Sequence, residues 1–250
     1  MPVVSSSGHP RTWWRVLGFG LLLPLCPGTL SAAEVTAAGA DATFRQHIAA
    51  CTSCHGEHGE GAADAAPRLA GKPAAYLALQ LRYFQDGQRK HATMAYMVRY
   101  LDADYMREMA EYFAHQNVPY AHIAAPALTD DARRRGEQLA HRGDATRGVP
   151  SCASCHGNRL GGVQPMIPSL NGLSAEYIQA QLDAWRAQRR GAREPDCMAV
   201  VANRMQATDV QAISGWLASR EMATTAEPPE ERVPEPLPGW CRLEVDRIPG

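Results

Sequence analysis

The chain has 250 residues, of which 45% are hydrophobic and 20% charged, and its formal net charge is −1. That balance excludes a disordered chain and a multi-span membrane protein. It also excludes the strongly basic face that a nucleic-acid partner would require.

The first 33 residues differ from the rest. Arg11 and Arg15 stand without any acid, the mostly apolar run Val16 to Leu25 follows, and Ser31-Ala32-Ala33 closes the segment. That order is the pattern of a secretory signal peptide over residues 1–33. Gly18, Gly20 and Pro24 break the apolar run, which is too short to span a bilayer comfortably. An uncleaved N-terminal anchor is the alternative. Export would place the mature chain in the periplasm, an oxidising compartment. Membrane association is then expected only through a partner or an uncleaved signal.

Residues 34–123 read as a first helical module. A helix over roughly residues 42–50 leads into "CTSCHG", Cys51 to Gly56. Next comes "PRLAGKPAAYLALQLRYF", Pro67 to Phe84, in which Leu77, Leu81 and Phe84 follow the i, i+4, i+7 spacing of a helix. Pro73 suits the first helical position. A later helix buries Met106, Met109, Ala110 and Phe113.

Residues 124–222 repeat the pattern. A helix is expected at Asp130–His141, then a Gly-containing stretch, then "CASCHG" from Cys152. "PSLNGLSAEYIQAQLDAW", Pro168 to Trp185, matches the earlier segment at an offset of 101 residues. Ser174 is a helix N-cap candidate. The later helix carries Val210, Ile213 and Leu217. Strand alternation is absent from both modules. Residues 223–250 hold six prolines and little periodicity, so they read as an extended Pro-rich tail. Each module has a thin apolar core for its length, and a bulky apolar cofactor would fill it.

Cys-x-x-Cys alone fits zinc, an iron–sulfur cluster, a redox dithiol or haem attachment. A histidine immediately after the second cysteine narrows the reading to c-type haem. One helical turn sets two thiols on one side, where they can add across the two vinyl groups of a porphyrin. The following histidine then faces the iron. Cys51, Cys54, Cys152 and Cys155 are therefore expected to hold two covalent haem c groups, with His55 and His156 as axial ligands. Zinc would need more Cys and His pairs than the chain has. A ligating histidine needs its second ring nitrogen held, and the carbonyls of Pro67 and Pro168 are candidates.

Methionine is the expected sixth ligand. Met94 lies seven residues before Leu101 and eighteen before Tyr112; Met198 lies seven before Met205 and eighteen before Trp216. Met97 matches neither spacing. His58, His91 and His115 are expected at the surface. Cys26 leaves with the signal, and Cys197 and Cys241 are expected to pair in an oxidising compartment, two free thiols being the alternative.

Over roughly residues 40–220 the chain resembles the dihaem cytochrome c4 family. The resemblance rests on both CxxCH motifs, the P-x-L-x-G…Y-x-x-x-Q-L stretches, and a methionine before each last helix. It implies a mainly α fold of two tandem class I cytochrome c-like domains, each wrapped round a covalent haem. It implies His55/Met94 and His156/Met198 as axial pairs, and no catalytic residues. The implied role is periplasmic electron transfer between a respiratory donor and an acceptor such as a terminal oxidase. The tail with Cys241 departs from the family pattern. A cytochrome subunit of a larger periplasmic oxidoreductase is the alternative, and a dihaem peroxidase-type enzyme a more distant one.

Overall fold

The computed structural model describes residues 32–62, 66–124, 126–191, 196–222, 226, 228–234 and 236–241, with side chains from Thr43 onward. The signal expected over 1–33 lies outside these residues apart from its last two. The chain divides at Ala42/Thr43, and the packing below belongs to the described residues from Thr43 onward.

Helices dominate, and isolated bridges stand in place of strands among the described residues. In the first half, α1 (Ala32–His55) runs without interruption through the CxxCH motif, a longer helix than residues 42–50. Residues 32–42 are alanine-rich and carry no apolar periodicity that would have announced the extension. Next come α2 (Ala74–Gln85), α3 (Ala92–Val98) and α4 (Ala103–Ala114). Pro73 sits at the N-cap of α2 with an extended ψ of 133°, one residue before the position expected for it. Both places suit a residue without an N–H, because the first-turn donors are unpaired anyway.

The second half contains α5 (Asp130–His141), a 3-10 turn at Ala145–Arg147, α6 (Cys152–His156), α7 (Ala175–Arg186), α8 (Cys197–Arg204) and α9 (Ala207–Ala218). Thr129 and Ser174 cap α5 and α7 by accepting from Ala132 N and Tyr177 N. Each such cap contributes about 1 kcal/mol.

The periodic residues form the cores. In the first lobe, Leu77 and Ala78 of α2 pack on Ala110 and Phe113 of α4, while Phe84 packs on Val98 and Met106. In the second lobe, Leu139, Ile178, Leu182, Val210, Ile213 and Leu217 share one larger core. Full burial of each such side chain contributes about 1.5–3 kcal/mol. At Gly136, α5 lies close against α9. A Cβ built there would collide with the Trp216 side chain and the Ala212 carbonyl.

A ring of charge closes the same helix pair. Arg135 donates to Asp209 at 2.8 Å and to Asp144 at 2.6 Å, and Arg147 donates to Asp144 at 2.7 Å and to Asp209 at 2.5 Å. The ring links α5, the 3-10 turn and the first turn of α9, where Asp209 also completes a capping box with Gln206.

The described parts of the tail lie along the second lobe. Glu230 pairs by backbone with Gly162 and Gln164, forming a parallel bridge with Val163. The Arg204 guanidinium lies over the Trp240 ring, and Cys241 is joined to Cys197 by a disulfide. The expected pairing is thus present, and it anchors the tail to the start of helix α8.

Gly136→Ala should destabilise the protein by about 1–3 kcal/mol through overpacking, read as a lower urea midpoint at unchanged slope. Hydrogen bonds from the Thr146 hydroxyl and then from Arg135 and Arg147 hold the Asp144 carboxyl below the usual carboxylate range; at Asp209 burial works upward, but hydrogen bonds from Arg147, Gln206 N and Arg135 outweigh it and hold that carboxyl low as well. A depressed carboxylate stabilises the fold fully above its unfolded value of about 4 and loses that contribution as pH falls below it. Asp209→Asn should therefore start less stable at pH 7 and lose less further stability between about pH 4 and pH 2 than the parent, as measured by urea titration.

Candidate haem-binding sites

Each motif ends a helix in the same way. Cys51, Cys54 and His55 occupy the last turns of α1; Cys152, Cys155 and His156 make up most of α6, whose N-cap Ser151 accepts from Ser154 N. The next residue is glycine in both, Gly56 and Gly157, each at φ +87°, a left-handed conformation that turns the chain back under the histidine. The returning loop then binds the histidine's own carbonyl, from Gly61 N at 2.7 Å and from Gly162 N at 2.9 Å.

Both imidazoles are buried, and each is held by the carbonyl expected for it. His55 Nδ1 lies 2.9 Å from Pro67 O, and His156 Nδ1 lies 2.8 Å from Pro168 O. A carbonyl only accepts, so Nδ1 carries the proton and Nε2 keeps its lone pair. Burial drives both imidazoles toward the neutral form. It pulls His156 down to about 4 and lowers His55, on which the Arg89 and His91 charges act in the same direction. A neutral imidazole with a free Nε2 is the metal-ligating state. The buried Cys152 thiol is pushed up to about 12, and the Cys51 thiol is also raised.

The two sites differ in their surroundings. At the second, Cys152, Cys155, His156 and Met198 line one mainly apolar cavity of about 250 Å³. Met205 and Met166 also line it. Met198 is the second residue of α8, and its N–H is held by the Asp196 carboxylate at 3.0 Å. At the first site, Cys51 belongs to the cluster around Leu77 and Phe113, its Sγ 3.8 Å from Met109 Sδ. Met94 belongs to the neighbouring cluster of Phe84, Val98 and Met106. Cys54 is exposed, whereas Cys155 is half-buried. His58, His91 and His115 are exposed as expected, and His91 caps α3 by accepting from Met94 N.

Sequence reasoning missed the polar boundary between the lobes. Arg89 donates to Gln80, to Tyr177 Oη at 2.9 Å and to Gln181 at 2.7 Å. Arg190 donates to Gln181, to Tyr76 Oη at 3.1 Å and to Gln80 at 3.2 Å. The guanidiniums lie over Phe84 and Trp185, and Lys90 N and Gly191 N bond across to Arg189 and Gln88 carbonyls. Every member of this cluster has its counterpart 101 residues away, so it is a pseudo-twofold contact. The signal was present in the shared register of Arg89 and Arg190. Lys72 lies at the same boundary, where its Nζ donates to Ser169 O at 2.7 Å.

Paired thiols on one helical turn, a tautomer-locked imidazole beside them and, at the second motif, an adjoining apolar cavity fit covalent haem. Comparison with known proteins agrees. The cytochrome c family profile matches residues 134–225. The thiosulfate dehydrogenase electron acceptor of Thiomonas intermedia is 40% identical over 202 residues, which cover 80% of this chain and 92% of that protein. Cytochrome c4 of Pseudomonas aeruginosa is 31% identical, covering 72% and 89%. The solved thiosulfate dehydrogenase (TsdBA) of Marichromatium purpuratum superposes with a TM-score of 0.63 at 34% identity over 68% of this chain, which spans only 36% of that longer protein. The chain belongs to the dihaem cytochrome c4 family, carries two covalent haem c groups on a tandem pair of cytochrome c domains, and is an electron-transfer protein.

Proposed function

We propose that this chain is the dihaem acceptor of a periplasmic thiosulfate-oxidising dehydrogenase, passing electrons on toward the respiratory chain. The observation that carries this reading is the pairing of two histidine-anchored sites across one buried, pseudo-symmetric boundary. The arrangement suits electron relay. The name of the 40% identical relative supports the dehydrogenase partner over a terminal oxidase as the immediate one.

When bound, each haem c supplies a one-electron ferric/ferrous couple. The chain's own groups do the rest. Pro67 and Pro168 fix the tautomer of His55 and His156. Met94 and Met198 are the sixth ligands in this reading; a thioether in that place keeps small molecules from the iron and raises the potential. Apolar walls at the second site exclude water. The Arg–Gln–Tyr cluster keeps the two lobes in one register. Domain limits of 34–123 and 124–222, export by residues 1–33 and a periplasmic location belong to the same reading.

Two experiments test it. Oxidised protein mixed with thiosulfate dehydrogenase and thiosulfate should be reduced rapidly at both haems, followed by stopped-flow absorbance. Reduction by ascorbate but not by that enzyme would remove the partner. Met198→Ala should open the second site, so that the reduced protein binds carbon monoxide at one haem and the oxidised protein loses about half of the weak far-red band of thioether-ligated ferric haem. Met205→Ala should do neither, and the reverse outcome would transfer the ligand role to Met205.

A further inference from the structure

Lys72 is the place where the lobe boundary departs from the repeat. Tyr76, Gln80 and Arg89 recur as Tyr177, Gln181 and Arg190, but the counterpart of Lys72 is Leu173, which is packed into the second-lobe core. The lysine belongs to the first-lobe loop before α2, yet its ammonium ends in the second lobe. Its acceptor, the Ser169 carbonyl, is one residue from the Pro168 carbonyl that holds His156. Lys72 lines the same cavity as Cys152, Cys155 and His156. It is 5% exposed, and among the described residues no carboxylate lies within ion-pair reach of it.

We infer that Lys72, a residue of the first lobe, sets the reduction potential of the haem in the second. A buried ammonium beside a redox centre favours the form carrying one electron more, and in a dry site little solvent screens that attraction. Burial pulls the ammonium down to about 7, with the Arg68 and Arg190 charges acting in the same direction. An ammonium so desolvated gains from any added negative charge. Haem c brings two carboxylates of its own, an anion of the class with which Lys72 otherwise forms no ion pair among the described residues. Arg68, the other cation of this loop, is engaged elsewhere. It donates to the carbonyls of Ala70, Val118 and Pro119 and lies over the Tyr120 ring. Lys72 acts through the haem environment and is a positioning residue. The inference needs haem at both motifs and does not depend on which enzyme reduces the chain.

Spectroelectrochemical titration of the full dihaem protein tests it. Lys72→Gln and Lys72→Met should each shift the reduction equilibrium of the second haem on the order of tenfold toward the oxidised form, equivalent to 59 mV for a one-electron couple. The first haem's wave should stay in place. A variant with Cys152 and Cys155 replaced by alanine keeps only the first haem and so marks its wave. Lys72→Arg should hold the second wave near its original position. Tyr76→Phe, which trims a hydrogen bond from the same boundary without changing charge, should move neither wave. The inference is overturned if both neutral variants leave the second wave unmoved, if both waves shift together, or if Tyr76→Phe reproduces the effect. Should the neutral variants fail to incorporate haem, Lys72→Arg decides alone: a second wave displaced as far as tenfold would show that charge is not what Lys72 contributes.

Discussion

The hydrogen bond from each buried imidazole to a proline carbonyl is the constraint on which the molecule is built. Proline at positions 67 and 168 donates no backbone hydrogen bond, and its ring fixes φ, so its carbonyl has a restricted direction. That direction decides which imidazole nitrogen holds the proton. The other nitrogen is then free for iron, and the loop between histidine and proline must be short and tightly turned. Gly56 and Gly157 supply the turn, and the return strand of the loop closes on the histidine's own carbonyl. The same loop repeats in finer detail. Leu69 N bonds Gly59 O in one lobe, and Leu170 N bonds Leu160 O in the other. Gly59 and Leu160 both have positive φ, although a leucine pays a steric penalty there. Leu160 is fully buried in the second-lobe core, and that burial offsets the strain.

The two lobes have diverged in how tightly they enclose their sites. The first keeps Cys54 exposed. The second surrounds its motif with a larger core, a salt-bridge ring and a tail whose Leu237, Pro238, Trp240 and Cys241 line the haem cavity. The disulfide closes a separation of 44 residues next to Met198. In the chain-entropy account a loop of that size contributes up to about 4 kcal/mol. Its position matters as much as its magnitude, because Cys197 precedes Met198 directly and Asp196 caps the same turn. The start of α8 is therefore held from two directions, by the disulfide and by the Asp196 cap.

Much of this was legible because the chain states its pattern twice. A 101-residue register pairs the motifs, the prolines and the helices that follow them, and the methionines and last helices pair at 104. Both proline carbonyls and the Cys197–Cys241 pairing follow from local chemistry and the counting of cysteines. Helix α1 was underestimated because alanine-rich sequence lacks the apolar periodicity that marks a helix face. The tail's course was not legible, since proline-rich segments make few local bonds and take their path from the surface they cover. The lobe boundary was hidden for another reason. Glutamine and tyrosine on a helix, and arginine in the loop after it, normally read as solvent-facing, and only a second copy of the same face gives them a reason to be buried.

That second copy explains why a polar boundary persists where an apolar one would suffice. Taking Arg89 and Arg190 out of water costs several kcal/mol each before their hydrogen bonds are counted. Tyrosine hydroxyls and glutamine carbonyls satisfy their donors, and aromatic rings cover their faces, so part of that cost is offset. An apolar seam between two similar helices would tolerate sliding by a turn. A guanidinium fork that must meet a particular glutamine and tyrosine on the other lobe does not, because a one-turn shift would leave buried donors unpaired. Electron relay between two sites falls steeply with small changes in their separation, so a fixed register is worth the loss in burial energy. The boundary is thus better understood as a spacing device than as a source of stability, and Lys72, opposite Leu173 in the repeat, makes that device asymmetric.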